Sequence, residues 1–411
     1  MNIKNWMTIM LMSSVLVCSV PFMCSCEEEI IRPEVTEPLM PDLGPEGTAG
    51  SIGTAEVTQK VVFSAGPSGQ TYRIPAMVTA KDGSLLIFAE DRHASWKDKG
   101  FTDIVVKRSE DNGVNWSGQT GITNSINDGG YAFMDPSPIV DEETGTIYLF
   151  FNRWKKYNTD VTNNRAFMSV SEDHGKTWSV PEDVSGNILA PGMFCAGFGP
   201  GHGIQIRQGR YKGRLITITR QNDGSRGYCY SIYSDDHGKT WNVGTEVQSG
   251  ESQIAESGED QLYLNIRRGS TRECSFSNDG GRTWSPSAPD ASLPTVNGGC
   301  EASVLGTGNN TVFYCGPGSG PEVSGHDNRY NLKLFRSASS AKMWTRSQVL
   351  YEMASGYSDM TLLQDGRLAI VFEAGSEKGF IKTGGNVRPV GWMRLDLLIL
   401  PAQITDYDYW F

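Results

Sequence analysis

An all-β chain built from repeated antiparallel units is the fold class this sequence predicts, and three observations predict it. The first is an eight-residue pattern, Ser-x-Asp-x-Gly-x-Thr-Trp. It reads SEDNGVNW at Ser109–Trp116, SEDHGKTW at Ser171–Trp178, SDDHGKTW at Ser234–Trp241 and SNDGGRTW at Ser277–Trp284, with a degenerate SASSAKMW at Ser337–Trp344. The copies begin 62, 63, 43 and 60 residues apart, a recurrence that points to stacked or radially arranged supersecondary units. The second is the set of β-rich runs between copies, such as TIYLFF (Thr146–Phe151), RLITIT (Arg214–Thr219), QLYLNIR (Gln261–Arg267) and RLAIVF (Arg367–Phe372). Turn signals at Asp82–Gly83, Glu143–Gly145 and Asp365–Gly366 introduce several such runs, and helical periodicity nowhere outlasts about two turns. The third is composition: 47 glycines, 10% aromatic and 20% charged residues in 411 suit many short strands and tight turns better than helical bundles.

Within the octet each residue type has a turn to build. The Asp accepts hydrogen bonds from nearby amides, the Gly takes a positive φ, and the Trp covers the hairpin with a large apolar face. None of this requires a ligand, and four near-intact copies suit a frame better than one reactive centre. The octets resemble the Asp boxes of sialidases, which lie on outer hairpins. The resemblance implies a six-bladed β-propeller of antiparallel four-stranded blades over residues 56–411, with no further lectin-like domain inside that span.

Ahead of it, Lys4 precedes an apolar run from Trp6 to Met23, too short and too early for a membrane span. Residues 1–25 read as an export signal. Ser25-Cys26 followed by EEE resembles the lipobox and surface-export signal of Bacteroidetes lipoproteins, with Cys26 lipidated; a plain secretory peptide is the alternative, since Met23 and Cys24 depart from the pattern. Residues 26–55, rich in Pro, Glu and Gly, read as a flexible tether. These features imply an outer-membrane or cell-surface lipoprotein, or otherwise a periplasmic or secreted protein, touching a membrane only through its anchor. A net charge of −11 with no basic stripe argues against nucleic acid. An anionic substrate would need locally placed arginines. Cys195, Cys229, Cys274, Cys300 and Cys315 form no C-x-x-C pair, the histidines lack ligand spacing, and no metal or other cofactor is called for.

A second, non-repeating set of residues carries the expected chemistry. Arg73 in YRIPA, Arg267 in LYLNIR and Arg329 in NRYNL resemble the three sialidase arginines that clamp the substrate carboxylate, a pairing that guanidinium geometry favours. Glu373 in VFEAG resembles the glutamate that orients the first of them. Most retaining glycosidases use two carboxylates, and sialidases with a tyrosine nucleophile are a known exception; a neutral phenol avoids bringing like charges together at an anomeric carbon that already bears a carboxylate. Tyr357 in GYSDM resembles that nucleophile, and Glu251 in ESQIAE its base, with Ser252 where a cysteine is usual. Of Asp91, Asp98 and Asp103, the family's spacing from Arg92 selects Asp98 as acid/base. Its loop also reads as a solvated turn. Arg92 would assist Asp135 of FMDPSP in contacting ring substituents, and Met134 and Trp154 either line the pocket beside it or pack at its rim. GPGHGIQI (Gly199–Ile206) resembles a Gly-rich sialidase loop and lacks the ending of a phosphate loop. Tyr330 stands where a second arginine often follows the third clamp residue. The resemblance implies an exo-α-sialidase that removes terminal sialic acids from host glycoproteins and glycolipids with retention. A transfer-type sialidase and a non-catalytic sialic-acid-binding propeller are the alternatives.

Overall fold

The computed structural model describes residues 57–405 except 67–69, 94–96, 126, 128, 249, 270, 297, 320–328, 376–379, 384–385 and 390–393. The expected leader, Cys26 and the whole tether lie outside the described residues. Glycine-punctuated β-rich runs leave little room for helix, and among the described residues the helical pieces are four residues or shorter. No described helix is long and apolar enough to cross a membrane.

The strands form a propeller-like succession of antiparallel sheets. The first contains Thr71–Thr79, Leu85–Arg92, Thr102–Ser109 and Thr120–Gly121; the second Tyr131–Val140, Ile147–Lys155, Arg165–Ser171 and Glu182–Asp183. The third contains Phe194–Phe198, Leu215–Asn222, Gly227–Ser234 and Asn242–Gln248, with Ile204–Gln205 added beside Leu215–Asn222. The fourth contains Ser252–Gly258, Gln261–Arg267, Arg272–Ser277 and Ala288–Pro289. The remaining large sheet has seven strands, running in spatial order from Thr58–Ser64 to Ser303–Gly308.

Six separate four-stranded blades were expected; the described residues form four sheets of four or five strands, one seven-stranded sheet and a two-stranded ribbon of Phe380–Thr383 with Asn386–Pro389. The reason is the 17-residue strand Arg346–Leu362. Its first half pairs with Arg329–Ser337 and its second half with Leu368–Ala374, so no chain break separates what would be two blades. The strand Thr58–Ser64 pairs with Arg394–Leu400 and joins the two ends of the described chain in this sheet.

The four near-intact octets lie on the hairpins after the third strands of the four smaller sheets, as frame elements should, and the degenerate fifth follows Arg329–Ser337 inside the seven-stranded sheet. In the third copy Ser234 Oγ donates to Asp236 Oδ1 (2.8 Å) and accepts from the Gly238 amide (2.8 Å), while Asp236 also accepts from the Thr240 amide (2.9 Å). The octets also join neighbouring sheets. Gly175 of the second copy has φ 82° and lies so close to Leu86 of the first sheet that a Cβ would overlap it. Trp178 meets Phe88 edge-on, and Trp241 meets Phe150 of the second sheet in the same way. The apolar faces of adjacent sheets thus close over one another, and the core is a series of clusters between sheets.

Candidate active site

The inner strands are bent where the site lies. Pairing slips between Arg73 and Ala76, Met134 and Ser137, Cys195 and Gly197, and Ser355 and Ser358. Such bulges re-aim side chains and interrupt the ladder, and Pro75 and Pro136 sit at two of them on edge strands, where proline is tolerated. Ile74 (φ 51°) and Asp135 (φ 56°) adopt left-handed conformations there, strain of the kind that accumulates at functional sites.

These bends bring all eight of Arg73, Arg92, Asp98, Asp135, Glu251, Arg267, Arg329 and Tyr357 to one cavity of about 370 Å³, with Met134 and Trp154 in its wall. The guanidinium carbons of Arg73, Arg267 and Arg329 lie 5.6, 5.9 and 5.7 Å from the Tyr357 ring centre. Three cations from three sheets therefore converge on one phenol. Fully buried Glu373 holds the arrangement: Oε1 accepts from Arg73 Nε (3.0 Å) and the Ile74 amide (3.1 Å), and Oε2 from the Tyr357 amide (3.1 Å).

Tyr357 Oη donates to Glu251 Oε1 at 2.5 Å, and Arg267 Nη1 donates to both Tyr357 Oη and Glu251 Oε2 at 2.6 Å. Burial, reinforced by Glu251, pushes the phenol well above its ordinary pKa. Burial acts to raise Glu251 too, but Arg267 and Arg220 outweigh it and hold the carboxyl below its usual range. The pair is thus a neutral phenol hydrogen-bonded to an ionised carboxylate, the arrangement of a nucleophile beside its base.

The three candidate acids separate cleanly. Asp91 is buried and accepts from Gln70 and Gln119; Asp103 accepts from Thr123 and Ser125 and pairs with His93. Asp98 alone reaches the cavity. It lies 2.8 Å from Arg92 Nη1 and 3.7 Å from Arg73 Nη1, with its side chain 64% exposed. Burial acts to raise its pKa, and Arg92, Arg73 and Lys99 outweigh it, leaving the carboxyl below the usual value.

Arg92 does not contact Asp135 directly. It pairs with Glu90 and Asp98, and Glu90 Oε1 in turn accepts from the Asp135 amide at 2.9 Å. The carboxylate of Asp135 is held instead by Arg220 Nη2 at 2.6 Å. Burial pushes the Asp135 carboxyl up to about 7 even so, with Arg220 acting against it and Glu90 adding to it. Met134 is buried, and half-buried Trp154 is capped by the Lys99 ammonium 3.9 Å from its ring centre, so both pocket lining and rim packing describe these two.

Glu90, Arg220 and Glu301 had escaped the sequence reading. The Glu301 carboxyl, buried and raised well above its ordinary pKa by that burial, accepts from the Ser358 amide at 3.1 Å, next to Tyr357. The glycine-rich loop does not line this cavity; it is tied to a buried carboxylate outside it, where His202 Nδ1 and Gln253 Nε2 both lie 2.7 Å from Asp359 Oδ1. Only Glu90 left a sequence signal, two positions from Arg92 on one strand and hence on the same face. The five described cysteines are unpaired.

Residues 83–370 match the BNR repeat-like domain, well over half of the chain. The chain belongs to the BNR-repeat sialidase family. A sialidase of Micromonospora viridifaciens is 30% identical over 340 residues, 74% of this chain and 50% of that protein. This chain therefore spans half the length of that relative. Among solved structures, a Hadza microbial sialidase superposes with a TM-score of 0.69 at 25% identity, over 84% of this chain and 69% of that one. An intramolecular trans-sialidase from Ruminococcus gnavus superposes with a TM-score of 0.64 at 18% identity, over 85% and 97%, which is a likeness of fold.

Proposed function

We propose that this protein is a retaining exo-α-sialidase acting on terminal α-linked sialic acids of glycoproteins, glycolipids and oligosaccharides. The observation that carries the reading is Tyr357 Oη, 2.5 Å from Glu251 and surrounded by three arginines. In this reading Arg73, Arg267 and Arg329 hold the sugar carboxylate by charge-assisted hydrogen bonds. As Tyr357 Oη attacks the anomeric carbon, its proton passes to Glu251, the glycosidic C–O bond breaks, and the leaving oxygen takes a proton from Asp98. Water, deprotonated by Asp98, then attacks the same carbon, and the released tyrosinate recovers its proton from Glu251. Arg92 and Arg73 hold Asp98 ionised. A substrate carboxylate on Arg73 offsets part of that attraction and raises the acid's pKa when a proton is needed.

The expected sixfold propeller is kept in one form: the seven-stranded sheet counts as two blades sharing the strand Arg346–Leu362, a reading supported by its pairing with different partners along its two halves. A lipid anchor at Cys26 and a cell-surface location also belong to this proposal, on the residue pattern of the leader; loss of membrane association in Cys26→Ser would support them.

The deciding experiment is a proton NMR time course with α2,3-sialyllactose, run beside Tyr357→Phe. Early release of the α-anomer, abolished in the variant, is the expected result. A 2,7-anhydro product would reassign the same residues to transfer. Absence of turnover on α2,3-, α2,6- and α2,8-linked donors, with sialoside binding retained, would make the protein a lectin.

A further inference from the structure

Arg220 contacts no reacting atom in the scheme above, yet the fold reserves room for it. It stands on Leu215–Asn222 opposite Gly197 of the bulged strand Phe194–Phe198. Gly197 has φ 136°, and a Cβ there would overlap both Arg220 Nη2 and Asp135 Oδ2. A side chain at 197 would therefore break the Arg220–Asp135 pair. Two edges of the guanidinium are committed, Nε to the Phe198 carbonyl (3.2 Å) and Nη2 to Asp135 (2.6 Å). Nη1 makes no hydrogen bond to the described residues, and Arg220 lines the same cavity as Tyr357. A guanidinium locked on two sides and open on the third presents a preorganised donor to a ligand.

What it meets follows from the order of the sheets. Arg92 comes from the first sheet, Asp135 from the second, Arg220 from the third and Arg267 from the fourth. A sialic acid carries its hydroxyl, acylamino group and three-carbon glycerol tail on the successive ring carbons C4, C5 and C6. With the carboxylate on the arginine clamp and C4 and C5 at Arg92 and Asp135, C6 directs its tail to the third sheet. We propose that Arg220 is a specificity-determining residue that reads the glycerol tail, donating from Nη1 to its oxygens while Nη2 holds Asp135. This inference rests on the sialidase reading above.

The test is a two-by-two comparison of kcat/KM. The donors are α2,3-sialyllactose and the same sugar with its tail shortened to C7 by mild periodate oxidation and borohydride reduction. The enzymes are the parent and Arg220→Met, with Arg220→Lys in reserve should the methionine variant fail to fold by circular dichroism. The parent is expected to prefer the intact donor by about 10- to 100-fold, the worth of a hydrogen bond to a charged donor, and the variant to prefer it several-fold less. A residue that merely supports Asp135 would lower both donors equally and leave the ratio unchanged. That outcome overturns the inference alone. Failure of the parent to turn over or bind any sialoside overturns the sialidase reading, and this inference with it.

Discussion

Asp236 and Asp135 are aspartates in the same chain with opposite electrostatics. Asp236, in an outer octet, is pulled down to about 2 by the Thr240 hydroxyl and amide and by Ser234. Asp135, in the cavity wall, is pushed up to about 7 by burial, with Arg220 opposing. The octet aspartate finds its partners within four residues and remains in water, so its charge is cheap and its turn can be copied along the chain. The cavity aspartate is held from two other sheets, by Glu90 and by Arg220. An arrangement of that kind cannot be repeated. The turn chemistry is distributed over the outer copies, whereas the candidate site is one inner assembly that exists only once the sheets meet.

The sharpest test of that division is to remove chemistry without removing structure. Tyr357→Phe should lower kcat by about 1000-fold, within the span of a lost nucleophile and its proton transfer. Its thermal midpoint should stay near the parent's; a large fall would mean that the phenol holds the wall together. The converse is Gly175→Ala, which places a Cβ in a left-handed conformation against Leu86. Backbone strain and overpacking together should cost about 2 to 4 kcal/mol in urea denaturation, while kcat per folded molecule stays unchanged.

The two aspartates should also respond to pH in opposite directions. The depressed Asp236 contributes stability that is complete above its unfolded value of about 3.9 and is lost as pH falls through about 2. Asp236→Asn should therefore lose most relative to the parent near neutrality, and the gap should close toward pH 2. The raised Asp135 costs stability as it is forced to ionise, progressively from its unfolded value of about 3.9 up to its folded value of about 7. Any deficit of Asp135→Asn should shrink as pH rises from 4 to 7, and a deficit that grew would show that the pair with Arg220 outweighs burial. Denaturant midpoints at four pH values decide both. The smallest effect belongs to the worn fifth octet, where Ala341 is buried at φ 61°. Ala341→Gly relieves that strain at some entropic cost in the unfolded chain and should stabilise by about 0.5 to 1 kcal/mol.

The octets were legible in the sequence because Ser, Asp, Gly and Trp act on one another within eight residues. Residues of the candidate site were legible only through motifs shared with sialidases, since nothing local relates Arg73 to Glu373 across 300 positions. Arg220 and Glu301 had no motif and no local partner; their counterparts Asp135 and Ser358 lie 85 and 57 residues away. The blade count failed for a related reason, because no turn signal records that Arg346–Leu362 continues from one pairing into the next.

By itself, then, the sequence determined an all-β chain of repeated hairpins, since turn chemistry and strand propensity act over a few residues. Tertiary structure alone decided which carboxyls are ionised, which arginines share the cavity and how the last sheets join. Those properties depend on burial and on charges from distant strands, and neither exists until the sheets have packed.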